Sequence, residues 1–171
     1  MERRHALVLE LYEAHQRELY GFVRAIERQR DVAEDIVSEA FTRLIREIDA
    51  GRTPDRPGAW LHRVAANLVV NGGRHRSVVQ RVLGRLVDHR TGEPADARVL
   101  REEWRLEIHA ALLALPRDAR TALMLAAHGF SGREIAEVLG RSELATRSLM
   151  SRARARLRER LGATEHREDR P

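Results

Sequence analysis

Residues Ser131–Arg160 read SGREIAEVLGRSELATRSLMSRARARLRER, and their punctuation spells two helices separated by a tight turn. Ser131 can accept the orphan N–H groups of a helix start, and Glu134, three residues on, can reach back to complete a capping box. Ile135, Val138 and Leu139 give the first helix a short apolar face. Gly140 follows, the residue type best able to take the left-handed conformation that stops a helix sharply. Ser142 can cap the next helix, which meets no glycine or proline before Gly162. A short helix, a glycine turn and a longer arginine-rich helix make the pattern of a DNA-reading helix-turn-helix.

The second of these helices has two unlike sides. At about 100° per residue, Thr146, Met150, Ala153 and Leu157 share a face that can pack inward, with Leu161 near its edge. Opposite lie Leu144, Ser148, Ser151, Arg152 and Ala155, flanked by Arg147. Small residues there permit close approach to a duplex, and arginines can take guanine edges or phosphates. Arg154, Arg156, Arg158 and Arg160 spread around the helix, which suits phosphate or solvent rather than base edges. The plain alternative is a solvated helix whose late arginines complement its dipole.

Composition limits what surrounds this element. The chain of 171 residues has room for one ordinary domain or two small ones. Hydrophobic residues make up 43% and aromatics only 4%, so its cores rest on Leu, Val, Ile and Ala. Few aromatics and little strand-like alternation favour an all-helical protein. All 31 basic residues are arginine, and the formal net charge is +5. That balance is compatible with nucleic acid without requiring it. Zero cysteines exclude disulfides and thiolate metal sites. No apolar run approaches a membrane span and no signal-peptide core opens the chain, so a cytoplasmic location and no membrane insertion are expected.

The amino-terminal half predicts three helices. Val8, Leu11, Tyr12, His15, Leu19, Phe22, Val23 and Ile26 recur at helical spacing. A second helix is expected to start near Asp31, capped by Asp31 with Glu34 as reciprocal partner. It carries Ile36, Val37, Ala40, Phe41, Leu44, Ile45 and Ile48 inward and Glu34, Asp35, Glu39, Arg43 and Arg46 outward. The stretch AGRTPDRPG, Ala50–Gly58, is a loop by composition, and Pro57 suits the first turn of a third helix. That helix packs through Trp60, Leu61, Val64, Ala65 and Leu68, and Gly72-Gly73 is expected to end it.

Beyond it lies a basic segment, Arg74–Arg90, partly helical by its spacing, and then the turn-forming linker Thr91–Ala97. Leu100, Trp104, Ile108, Ala111, Leu112 and Leu115 mark a fourth helix ended by Pro116. A fifth runs from about Arg117 to His128, with Leu123, Leu125 and Ala126 inward, and leads into the helix-turn-helix. The expected division is 1–76, a three- or four-helix bundle; 77–97, basic segment and flexible linker; 98–162, the helix-turn-helix unit; and 163–171, a disordered tail.

Two blocks in this order carry a resemblance. DVAEDIVSEAFTRL (Asp31–Leu44) and AWLHRVAAN (Ala59–Asn67) resemble region 2 of bacterial group IV, extracytoplasmic-function (ECF), sigma factors of the sigma-70 family. LPRDARTALML (Leu115–Leu125) and the helix-turn-helix resemble their region 4. The resemblance implies a factor that binds core RNA polymerase, through the largest subunit's clamp helices and the flap, and directs initiation at promoter DNA. It implies Glu34, Asp35, Glu39 and Arg43 as polymerase contacts. For the minus-ten element it implies Arg52, Trp60, Arg63 and Asn67, with Arg74 and Arg76 on adjacent phosphates. For the minus-thirty-five element it implies Arg141, Leu144, Arg147, Ser148, Ser151 and Arg152. It also implies an anti-sigma partner and no cofactor. Departures from the family pattern are Asn71, the Gly72-Gly73 pair, a loop without an aromatic near Ala50, and Leu149 where a basic residue is common.

Two other classes compete. A stand-alone helix-turn-helix regulator would share the second half but leave the acid-headed second helix unexplained. An enzyme would need a constellation that the sequence does not display. Its histidines, His5, His15, His62, His75, His89, His109, His128 and His166, include no i, i+4 helical pair and no carboxylate spaced with them as a ligand set. No phosphate loop or nucleophile elbow is present either, so no catalytic and no metal-ligating residues are expected.

Overall fold

The computed structural model describes residues 2–82 and 99–168. It holds seven helices in these residues and no strand: α1 (Glu2–Ile26), α2 (Arg30–Asp49), α3 (Pro57–Val82), α4 (Val99–Leu113), α5 (Arg117–Ala127), α6 (Gly132–Leu139) and α7 (Glu143–Glu168). The expected linker from residue 83 onward lies outside the described residues, as do the side chains of residues 73–105.

Helices α1, α2 and α3 pack on one another as the apolar spacings require. Leu19, Phe22, Val23 and Ile26 from α1 meet Ile36, Ala40, Phe41, Leu44 and Ile48 from α2 and Leu61, Ala65 and Val69 from α3, all buried. Each such large side chain contributes about 1.5–3 kcal/mol of transfer free energy. In the carboxy-terminal half α7 rests on α4, α5 and α6 through Thr146, Met150 and Ala153.

Local signals decide the helix ends unevenly. The capping box of α6 forms as read: Glu134 N donates to Ser131 Oγ at 3.3 Å, and Ser131 N donates to Glu134 Oε2 at 2.9 Å. Gly140 closes α6 in the left-handed region at φ 62°, and Ser142 caps α7 by accepting from Ala145 N at 3.2 Å. The start of α2 departs from expectation. Its N-cap is Gln29, with no side-chain cap bond, and Glu34 takes Arg30 as an i, i+4 partner at 2.8 Å instead. With Arg30 already in the helix, Asp31 lies two residues past the N-cap, too far in to cap it.

Two expected terminations fail. Helix α3 runs through Gly72-Gly73 to Val82, and α7 runs through Gly162 to Glu168, where an irregular tail was expected from residue 163. Glycine costs a helix interior only about 1 kcal/mol relative to alanine. Once a helix is nucleated, each further residue gains a hydrogen bond, so good formers on both sides carry it across.

The halves also pack against each other. Helix α1 meets α4 and α5, and α3 meets α5 and α6. Ala122, Leu125, Ile135, Val138 and Leu139 join the core of the amino-terminal bundle, and Ala25 joins Leu112, Leu115, Ala119 and Ala153. Polar contacts edge this seam. Arg28 donates to Leu113 O at 2.7 Å, His109 Nε2 lies 3.1 Å from Arg24 O, and Arg117 reaches the buried Glu27 at 3.1 Å. Arg120 is buried in the carboxy-terminal half, where it donates to Leu113 O and Leu115 O and so closes the end of α4.

Candidate nucleic-acid interface

Helix α7 presents the face that its spacing predicts. Thr146, Met150 and Ala153 are buried, while Leu144, Arg147, Ser148, Ser151, Arg152 and Ala155 are exposed, Leu144 at 72%. An exposed leucine flanked by serines and arginines is a surface with methyl, hydroxyl and guanidinium groups available together. Arg152 leans along the helix, its Nε donating to Ser148 O at 3.2 Å. Arg141, at the turn, pairs with Asp118 at 2.5 Å and is held at the head of α7. Leu149 is half-buried and packs against the core, so its apolar character serves the fold. Behind the face, a cleft of about 200 Å³ is lined by Leu115, Pro116, Ala119, Arg152 and Arg156 among others.

The second group of predicted residues is arranged differently. Trp60, Arg63 and Asn67 lie on α3 at half-buried positions. Trp60 packs against the bundle core, consistent with the core role its position on the apolar spacing allows. Arg63 pairs with Glu134 of α6 at 3.1 Å, across the seam between the halves. Glu134 is the carboxylate of the α6 capping box, and its acceptance from the Ser131 N–H and hydroxyl holds it below the usual carboxylate range. It therefore stays charged toward Arg63 at neutral pH. Arg52 makes a two-pronged pair with Glu47 at 2.8 and 3.0 Å, which fastens the loop to the end of α2. This bond holds Glu47 below its ordinary value. Arg74 and Arg76 belong to α3, with side chains outside the described residues.

On α2, Glu34, Asp35 and Arg43 are exposed and Glu39 is half-exposed. Glu39 pairs with Arg43 at 2.7 Å, so two of the four are neutralised by each other at the surface. What the sequence missed is a cluster that no spacing announces: Glu18, His62 and His128, from three helices of both halves, meet at the seam. Among the described residues no helix is long and apolar enough to cross a membrane.

A helical bundle followed by an arginine-faced helix-turn-helix defines a two-part transcription factor architecture. The sigma-70 region 2 family matches residues 11–79 and the sigma-70 region 4 family matches residues 105–157. The ECF RNA polymerase sigma factor EcfG of Rhodopseudomonas palustris is 31% identical over 141 residues, covering 81% of this chain and 76% of that protein. SigM of Mycobacterium tuberculosis is 29% identical over 154 residues, covering 90% of this chain and 76% of that one. The sigma factor RpoE of Bartonella quintana, solved in complex with the anti-sigma factor NepR, matches with a TM-score of 0.68 at 27% identity, over 95% of this chain and 98% of that chain. The chain belongs to the ECF sigma factors of the sigma-70 family.

Proposed function

We propose that this sigma factor joins core RNA polymerase through α2, reads the minus-thirty-five duplex with α7, and captures the melted minus-ten strand with α3 and the preceding loop. The observation that carries the reading is the exposed face of α7, where Arg147 and Arg152 flank small residues on a helix buried along its opposite side. Arginine there takes guanine edges bidentately, and the serines and Ala155 leave the backbone free to enter the groove. Arg141, at the turn, takes a flanking phosphate, and Leu144 meets thymine methyls.

Glu34, Asp35, Glu39 and Arg43 supply a charged face for the clamp helices, and region 4 meets the flap. Trp60, Arg63 and Asn67 supply stacking, charge and amide hydrogen bonding to an extruded base, with Arg52, Arg74 and Arg76 on the strand around it. Extruding a base costs about a few kcal/mol, part of which stacking returns. Tethering both halves to polymerase makes the second DNA engagement intramolecular, which raises its effective concentration. An anti-sigma factor that grips the packed halves fits the same scheme, as the RpoE–NepR pair is a sigma factor held by such a partner.

The test is in vitro transcription with core polymerase on genomic fragments. Promoter-specific transcripts that require both proteins are expected. Duplex binding without any association with core polymerase would instead favour a stand-alone regulator.

A further inference from the structure

Helix packing gathers what the sequence scatters. One potential ligand atom from each of Glu18 (α1), His62 (α3) and His128 (the C-cap of α5) lies within 4.8 Å of the others. Both rings are already oriented. His62 Nδ1 is 2.7 Å from Gly58 O and His128 Nδ1 is 2.8 Å from Met124 O. A carbonyl only accepts, so each Nδ1 carries a proton, and in the neutral ring each Nε2 keeps its lone pair. Carbonyl-anchored imidazoles of this tautomer are the usual form of histidine metal ligands. Phe22 meets both rings edge-on, at 4.8 and 5.2 Å between centroids, and fixes their planes.

The second observation is an orphan. His62 is only 5% exposed, and its Nε2 is buried with no hydrogen-bond partner. An unsatisfied buried polar atom costs about 1–3 kcal/mol, which makes such atoms rare without a purpose. Its neighbours in the cluster are a second imidazole and a carboxylate, and with that imidazole neutral none of them is a donor. Acceptors facing acceptors are held together by a cation.

We propose that Glu18, His62 and His128 form a binding site for a divalent transition-metal ion, Zn2+ by its ligand set, that clasps region 2 to region 4. Two imidazoles and one carboxylate, with a fourth position left to water, are a recognised zinc set. Bonds of about 2.0–2.2 Å place tetrahedral ligand atoms about 3.4 Å apart. Glu18 Oε1 and His128 Nε2 are already 3.6 Å apart, and the exposed Glu18 is free to swing inward. Because the ligands come from both halves, a bound ion favours the packed arrangement over a separated one.

The experiment uses the full chain, stripped with chelator and dialysed, titrated with Zn2+ by calorimetry and with Co2+ by visible absorption. Expected are one equivalent bound, the intense absorption of four-coordinate cobalt, and a thermal midpoint that rises with free Zn2+. Glu18→Gln and His128→Gln should each weaken binding by more than about 10-fold, since loss of an outer-shell partner alone costs 10–100-fold, and should abolish the Zn2+-dependent rise. Glu18 is exposed, so its variant keeps the fold, and circular dichroism checks both. No stoichiometric uptake by the unsubstituted chain, as a bare Glu18–His128 ion pair predicts, overturns the proposal. So does unchanged affinity in both variants. Neither result bears on promoter recognition, because polymerase and DNA are absent.

Discussion

Helices α7 and α3 carry the two sets of residues proposed to touch DNA, yet they stand in opposite states. Arg147, Ser148, Ser151 and Arg152 of α7 are open to solvent, whereas Trp60, Arg63 and Asn67 of α3 are half-buried, and Arg63 is paired with Glu134 of α6. The cause is where each helix spends its apolar face. Helix α7 buries the stripe of Thr146, Met150 and Ala153 and leaves Arg147, Ser148, Ser151 and Arg152 exposed. Helix α3 buries residues against α1 and α2 on one side and meets α5 and α6 on another. Under the proposed assignment, duplex reading needs no rearrangement, while Arg63 must first give up Glu134 to meet a strand.

The contrast can be broken first at α7. Arg147→Ala together with Arg152→Ala should cost promoter binding about 1–3 kcal/mol for each guanidinium lost, leaving association with core polymerase unchanged; fluorescence anisotropy and co-purification measure the two. An equal loss of polymerase association would move these residues out of the DNA interface. The seam is tested next. Leu125, wholly buried in the core shared by both halves, should lose about 2–5 kcal/mol as Leu125→Ala in urea unfolding, the range for a core cavity.

Smaller effects sharpen the picture. Ser131→Ala removes the α6 cap and should cost about 0.5–2 kcal/mol. It also removes the hydroxyl bond to Glu134 while keeping the larger one from the residue 131 N–H, so the lowered carboxylate value should move only part of the way toward normal in an NMR titration. Acidification acts at the same seam. Burial, opposed by the Gly58 carbonyl bond and aided by the nearby His128, holds His62 below the ordinary histidine value of about 6.5. An unfolded chain therefore takes up a proton that the folded one refuses. Stability is full above about pH 6.5, falls as pH drops through that value, and levels off below the packed His62 value. Thermal midpoints across pH 5–8 read this, and a midpoint rising on acidification would contradict it. The smallest effect belongs to Arg63→Ala, since an exposed pair such as Arg63–Glu134 contributes about 0–1 kcal/mol.

The stretches that read well were those with local causes. The capping box at Ser131, the left-handed Gly140, the Pro57 helix start and the inward stripe of α7 all depend on neighbours within four residues. Where two local options competed, the reading slipped. Asp31 was a plausible cap until Arg30 joined the helix and Gln29 became the N-cap. Gly72-Gly73 looked like a stop, yet a penalty of about 1 kcal/mol for each glycine does not outweigh helix formers on both sides.

By itself, the sequence determined an all-helical chain, the helix-turn-helix and the face of α7, because periodicity and capping act over one or two turns. Only the tertiary structure decided that the halves pack together, that Glu134 covers Arg63, and that Glu18, His62 and His128 meet. Those residues lie on different helices, and contacts between helices follow from how buried surfaces fit, which no spacing along the chain encodes.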